Sequence, residues 1–438
     1  MAAAMPTTLL TPEPAMSPAD ALAALFTPEG RADPYPFYRV LRAHAPVLPV
    51  TDDLVLVTGY AELEQALRHP DLEVHDAAYN ALHRPEIAHL PSIALFADSM
   101  LMGRSPDHER VRRLVAHAFT PRRLTALEAS IERTARRLVA RLAEALGDGG
   151  DADAMAHLAY PLPIHVIADL IGVPEQDREW FRPQVSALGK VMDPLLTPNQ
   201  LMAADQAAER LLDYFAELVA DRRRSPGDDL TSMLLNVRDT DEQRLSEREL
   251  LTNLALLFVA GFETTAGLLG NALARVLTGG EGMAAVRTAA QAETFVEEVL
   301  RHDSPIQVTG RWAVCDTELA GVRLAAGTNA MLLLGAGNRD PGRFPQPDRF
   351  LPSRVTGRSL SFGRGAHYCL GAPLARREAS VALRVCSELL PGLRAGGEAT
   401  RGDWLTLRSY AELPLRLTTG SFTQAGRRLV ESRRRPEL

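Results

Sequence analysis

Hydrophobic positions recur every three to four residues over much of this chain, a spacing that predicts a protein built mainly of helices. Between Arg122 and Leu146, residues Leu124, Leu127, Ile131, Leu138, Leu142 and Leu146 make one apolar stripe. Pro161 to Gly172 and Leu201 to Arg224 repeat the pattern. The second of these ends in Arg222, Arg223 and Arg224 before Ser225-Pro226-Gly227, which stops a helix. A longer helix is predicted from about Ser246 to Leu277, where Ser246 and Glu249 have capping-box spacing and the rise per residue gives ~45 Å. Ala372 to Leu390 reads as another helix, Leu54 to Val57 as a short strand and Tyr60 to His69 as a helix. After Ala313 the pattern changes to short strands and turns. From about 75 to 103 it fails, with Pro85 and Pro91 among apolar residues, and an irregular connection is expected there.

No repeat and no linker divides the chain. The expected architecture is therefore mainly α with small β-sheets (α+β), as a single domain over residues 31–418. A loosely ordered leader is expected over 1–30. An Arg-rich tail, with Arg427, Arg428 and Arg433 to Arg435, is expected over 419–438.

Composition narrows the function classes. With 46% hydrophobic and 24% charged residues in 438, the chain is globular. A net charge of −7 argues against a dedicated nucleic-acid binder. The segment from Met1 to Met16 lacks the basic flank and apolar core of a signal peptide. The most apolar helical run, Leu250 to Phe262, falls short of the ~20 residues a membrane span needs. A cytoplasmic protein without a membrane partner is expected. Cys315, Cys369 and Cys386 are too few and too scattered for a disulfide framework.

The strongest chemical signal is Phe362-Gly363-Arg364-Gly365-Ala366-His367-Tyr368-Cys369-Leu370-Gly371. Two glycines two apart permit a tight turn beside a flat ligand, where side chains would clash. The cysteine that follows stands at the mouth of a helix, where the positive end of the dipole and nearby N–H groups favour thiolate over thiol. Cys369 read alone could equally be a buried small hydrophobe, as Cys315 and Cys386 are read, or a catalytic thiol. The whole segment resembles the haem-binding loop of the cytochrome P-450 family at every fixed position, and Leu374-Ala375-Arg376 continues it. The resemblance runs from Asp33-Pro34-Tyr35-Pro36 to Leu413-Pro414-Leu415 and includes Asn338-Arg339-Asp340-Pro341.

That resemblance implies a triangular fold with haem b held between the long central helix and the cysteine loop. Cys369 would be the metal ligand, with Phe362, Gly363, His367 and Gly371 around the cofactor. His108 and Arg112, four apart on one helix face, and Arg311 would bind the haem propionates. Arg104 stands where family members often carry Asp, which leaves the entry to that helix open. Glu298 and Arg301 resemble the family's buried Glu-x-x-Arg pair, with its third partner expected in Arg349-Phe350. In the middle of the long helix, Ala260-Gly261-Phe262-Glu263-Thr264-Thr265 resembles the oxygen-activating segment. Ala260 and Gly261 would leave room for O2, while Thr264 and Glu263 would serve proton delivery. Read without the family, Thr264 bonds back to a carbonyl one turn earlier at a local kink. Leu90, Ile93, Phe96, Phe258, Val259, Phe262, Ile306 and Leu407 are the substrate-pocket candidates for an organic small molecule. Ferredoxin and ferredoxin reductase are the expected electron donors, docking on a basic patch that includes Arg113, Arg122 and Arg123. The implied reaction is hydroxylation or epoxidation, with oxidative coupling or desaturation as alternatives. A haem gas sensor is the rival from another class, one that would need no proton delivery.

Overall fold

A computed structural model of the protein describes residues 16–147, 150–236, 245–355 and 357–418. The helices in chain order are α1 (Pro18–Leu25), α2 (Pro28–Ala32), α3 (Tyr35–His44), α4 (Tyr60–Ala66), α5 (Ala77–His83), α6 (Pro91–Ala97), α7 (Asp107–Ala116) and α8 (Pro121–Leu146). They continue with α9 (Pro161–Ile171), α10 (Arg178–Gly189), α11 (Pro198–Arg224), α12 (Leu230–Asn236), α13 (Glu247–Thr278), α14 (Ala289–His302), α15 (Leu334–Gly337) and α16 (Ala372–Leu389).

The strands are short. β1 (Val47–Thr51), β2 (Leu54–Val57), β3 (Leu72–Glu73), β5 (Val308–Ala313) and β8 (Asn329–Leu333) form one sheet in the order β1-β2-β8-β5-β3; β4 (Ala152–Asp153) belongs to another, and β6 (Thr317–Leu319) pairs with β7 (Val322–Leu324). Within the large sheet β2 runs parallel to β8, and the other neighbours are antiparallel. The mainly α reading with small sheets holds.

Helix α13 runs through the middle of the main core and is buried along most of its length. Its N-terminus is the capping box read from the sequence: the Ser246 hydroxyl accepts the Glu249 amide at 3.1 Å, and the Glu249 carboxylate accepts the Ser246 amide at 2.7 Å. By composition α13 is apolar enough to cross a membrane, but 83% of its most apolar stretch is covered by the rest of the protein. It is the core helix around which α9, α10, α14 and α16 pack.

Two expectations give way. Within the leader of 1–30, Pro18–Leu25 forms α1 and α2 begins at Pro28, and Ala21 and Leu25 of α1 are buried against α3. The apolar face there is two residues wide, too short to stand out by periodicity. Within the irregular stretch of 75–103, α5 and α6 form. Asp76 caps α5 through the Tyr79 amide at 2.9 Å. Pro91 is the first residue of α6 and not a breaker, and Asp205 of α11 binds the Ser92 amide and hydroxyl at 3.0 and 2.6 Å. The predicted tail of 419–438 lies outside the described residues.

Candidate functional site

The cysteine loop is built by its glycines. Gly363 and Gly365 have φ of +69° and +71°, the left-handed region that side chains disfavour, and a Cβ on Gly365 would stand 2.7 Å from the Leu67 carbonyl oxygen. The turn they make returns the chain so that the Cys369 amide donates to the Phe362 carbonyl at 2.9 Å. Arg364, between the glycines, is a residue the motif reading passed over. Its buried guanidinium donates to the carbonyls of Ser359, Gly363 and Arg358 at 3.0, 2.9 and 2.9 Å and to the Tyr60 hydroxyl at 3.1 Å. It ties the loop to α4. Nothing local signals this, because its partners lie up to 304 residues away.

Cys369 sits just before α16, and the backbone amides of Gly371 and Ala372 favour its thiolate. The helix-mouth argument, however, does not prevail. Burial raises the Cys369 thiol above its ordinary pKa despite those amides and the charges of Arg112 and Arg376. An iron cation held by this sulfur would supply the missing attraction, since a coordinating thiol is deprotonated outright.

Around the loop, His108, Arg112, Arg311 and His367 converge. The His108 and His367 rings lie 4.1 Å apart, and Arg112 donates to the Tyr368 carbonyl at 2.5 Å. Burial first, then His108, Arg311 and Arg112, push the His367 imidazole down to about 3. Arg311 is 6% exposed, and burial lowers its pKa to about 10. Among the described residues no carboxylate lies within ion-pair distance of Arg112 or Arg311. A buried guanidinium (Arg311), a half-buried one (Arg112) and two imidazoles without an anion among the described residues constitute a site for a dianionic group. The two propionates of haem fit it, and the thiol nearby fits its iron.

Arg104 resolves the helix entry that the sequence left open. Its Nε pairs with Asp76 at 2.6 Å, its guanidinium lies 5.2 Å from the centroid of the Trp312 ring, and its carbonyl accepts the His108 amide at 2.8 Å.

The Glu298–Arg301 pair is fully buried and bidentate, at 2.8 and 2.7 Å. Arg301 also donates to the carbonyls of Asn338, Pro347 and Arg349 at 3.1, 2.8 and 3.0 Å. The third partner is corrected here: Arg349 contributes its backbone carbonyl, and its guanidinium turns to Gln346. The second guanidinium on Glu298 is that of Arg354, at 3.3 Å.

On α13 the acid and the threonine do not face each other. Thr264 donates to the Ala260 carbonyl at 2.8 Å, the back-bonded arrangement. Glu263 is buried and accepts the Ser186 hydroxyl of α10 at 2.5 Å. Burial raises its pKa, with Ser186, Lys190 and Arg182 opposing, so the carboxyl leans toward its neutral form. Ala260 is exposed in the middle of α13, whose other exposed residues lie at its ends, and opens the space beside Thr264. Gly261 differs from expectation: a Cβ there would point at Ile167 of α9, 3.5 Å away, so this glycine borders a helix–helix contact.

Of the pocket candidates, Leu90 and Ile306 keep partial exposure, and Ile306 pairs with Leu407 in an isolated bridge. Ile93, Phe96 and Val259 are buried. Phe258 is corrected to a core residue, stacked on Phe181 at 4.1 Å between centroids, and Phe262 packs beside Tyr160 at 5.7 Å. Both side chains turn to neighbouring helices, a direction that a helix buried all round does not reveal in its sequence.

Comparison with known proteins gives one answer. The family model described as Cytochrome P450 matches residues 51–386. The chain is 38% identical over 403 residues to 6-deoxyerythronolide B hydroxylase of Saccharopolyspora erythraea, covering 88% of this chain and 96% of that protein. It is 36% identical to the cytochrome P450 monooxygenase PikC of Streptomyces venezuelae, covering 91% and 94%. Among solved structures, P450BioI in complex with an acyl carrier protein ligated to hexadec-9Z-enoic acid superposes with a TM-score of 0.82 at 33% identity. That match covers 89% of this chain and 99% of the other.

Proposed function

The chain belongs to the cytochrome P450 family and is a haem b monooxygenase, and from that premise we propose that it hydroxylates or epoxidises an apolar, medium-to-large organic molecule in bacterial secondary metabolism. The observation that carries the site assignment is the set of four donors without an anion beside a lone thiol: Arg112, Arg311, His108 and His367 around Cys369. Relatives named as a hydroxylase of 6-deoxyerythronolide B and as the monooxygenase PikC support the substrate class.

Haem b bound through Cys369 supplies the binding and reductive splitting of dioxygen. The chain's residues hold, orient and protonate. Arg112 and Arg311 would neutralise the propionates and the neutral imidazoles of His108 and His367 would donate hydrogen bonds to them, while Glu298, Arg301 and Arg354 brace the loops behind the cysteine. Glu263, favoured in its neutral form by burial, stores a proton against Ser186. Thr264 presents a hydroxyl at the open stretch of α13 beside Ala260. Proton delivery from the first to the second requires Glu263 to turn from Ser186 toward Thr264, and the apolar residues Leu90, Ile306 and Leu407 exclude water from the reacting carbon. Electrons come from a ferredoxin and its reductase in the cytoplasm, docking on the exposed Arg113 and Arg122 beside Arg123. Charge reversal at these arginines leaves the docking claim standing only if it slows ferredoxin-supported turnover.

The deciding measurement is the absorption of the dithionite-reduced protein under carbon monoxide, beside Cys369→Ala. A Soret band at about 450 nm in the wild type and its loss in the variant are expected from thiolate ligation. A wild type that binds no haem overturns the assignment. Tight spectral binding of small charged compounds alone overturns the substrate class.

A further inference from the structure

Helix α13 carries two asparagines that no motif singles out. Asn253 and Asn271 are both fully buried, in a helix whose other buried residues are mainly apolar. They stand 18 residues apart, about five complete turns, and so lie on one face. At about 100° per residue, Ala260 and Thr264 fall within about 20° of the same line. This is where α13 is open: Ala260 is exposed and Gly261 and Thr264 are half-buried, while every other residue from Thr252 to Ala274 is buried.

Each asparagine is tied to a different neighbour. Asn253 Oδ1 accepts the Met100 amide at 3.0 Å, in the connection between α6 and α7, and its Nδ2 donates to the Glu249 carbonyl one turn back at 2.7 Å. Asn271 Nδ2 donates to the carbonyls of Asp303 and Arg408 at 3.0 and 2.9 Å, and its Oδ1 accepts Arg401 Nη1 at 2.7 Å. Gly267, one turn before Asn271, leaves room for that approach. A Cβ there would stand 3.3 Å from the Ser409 side chain and 3.5 Å from the Arg408 carbonyl oxygen. Along this face the order is therefore polar tie, opening, close backbone approach, polar tie.

Apolar packing does not choose this orientation by itself. A helix that is apolar on every side can turn about its axis with little change in buried area. A buried asparagine resists the turn, because its amide would lose its partners and remain unsatisfied away from water. One buried asparagine fixes the register of a coiled coil through the same penalty.

We propose that Asn253 and Asn271 are positioning residues that set the rotation of α13, so that the face bearing Ala260 and Thr264, and no other, stands at the opening. The inference rests on the monooxygenase reading of that face.

The test uses full-length holoenzyme, reduced and under carbon monoxide, and reads the C–O stretch in the infrared, which responds to the groups around the bound probe. Asn271→Leu and Asn253→Leu keep the approximate size of the side chain and remove its hydrogen bonds. Thr231→Val, which loses the bond from α12 to the Ile171 carbonyl, controls for a buried hydrogen bond lost elsewhere. Wild type and control are expected to give one narrow band, and each asparagine variant a broadened or divided one as α13 samples several rotations. Thr264→Val shifts the wild-type band, and in the Asn253→Leu/Asn271→Leu background that shift falls to roughly half or less. Asn253→Leu gives up a single bond to another segment and decides the matter if Asn271→Leu does not fold.

Asparagine variants that keep one narrow band, with the full Thr264→Val shift, overturn the inference alone, since apolar packing then sets the rotation. A control that broadens as much as they do overturns it as well, by reducing the effect to lost stability. A wild-type band that Thr264→Val leaves unmoved overturns the reading of that face together with the inference.

Discussion

Replacing Glu298 by Gln keeps the shape of the side chain and removes its charge. In the native protein Oε1 accepts Arg301 Nη2, the Leu351 amide and Arg354 Nε at 2.7, 2.8 and 3.3 Å, and Oε2 accepts Arg301 Nε at 2.8 Å. Every group facing this carboxylate is a donor. A carboxamide must therefore turn its NH2 toward N–H groups whichever way it flips. It also leaves the Arg301 side chain, 3% exposed, without a counterion. Removing one partner of a buried pair costs about 3–5 kcal/mol, a large part of a typical total stability of about 5–15 kcal/mol. Burial alone would raise the Glu298 pKa, but Arg301, the Leu351 amide and Arg354 outweigh it and hold the group below its ordinary value. Its stabilising contribution is thus present above the unfolded pKa near 4.5 and is lost as pH falls through the folded value.

The assay is urea unfolding of Glu298→Gln, Arg301→Leu and the double variant Glu298→Gln/Arg301→Leu, each at pH 7 and near pH 4. The single variants lose about 3–5 kcal/mol at pH 7, and the double variant loses less than their sum by at least ~1.5 kcal/mol. The Glu298→Gln deficit shrinks at pH 4. A loss under about 1 kcal/mol, or strict additivity, would refute the claim that this pair is held by mutual neutralisation.

Arg311→Leu is expected to act with opposite signs in two states. It relieves a buried charge with no carboxylate partner, so the apoprotein is no less stable to heat, while haem transfers to apomyoglobin faster; an unchanged transfer rate removes Arg311 from the cofactor site. Glu378 of α16 is 3% exposed, its Oε2 has no hydrogen-bond partner, and burial raises its pKa well above 4.5. Stability associated with this acid is present below the unfolded pKa and is lost as pH rises toward the folded value, so Glu378→Gln should gain melting temperature over wild type from pH 4 to pH 8. A difference that stays flat across that range contradicts the assignment.

Much of the site was legible because it is local. The loop from Phe362 to Gly371 is ten residues whose turn demands left-handed backbone at two of them, and glycine there is a requirement written in the sequence. The ends of α13 and α16 were read to within a residue or two because caps and stops act over a single turn. Other features depend on which segments meet. Arg354 and not Arg349 turns toward Glu298; Glu263 leans to Ser186 and away from Thr264; and Phe258 packs in the core instead of lining the pocket.

By itself the sequence determined the helical architecture, the turn of the cysteine loop and the spacing of the Glu298–Arg301 pair. Periodicity, turn stereochemistry and i,i+3 spacing are properties of neighbouring residues, and they act before the chain is packed. Only the tertiary structure decided the direction each side chain takes and the charge state it prefers. Cys369 shows the difference: its position before a helix favours the thiolate, but burial, which exists only once the chain is folded around it, reverses that preference, which a metal cation at the sulfur would restore.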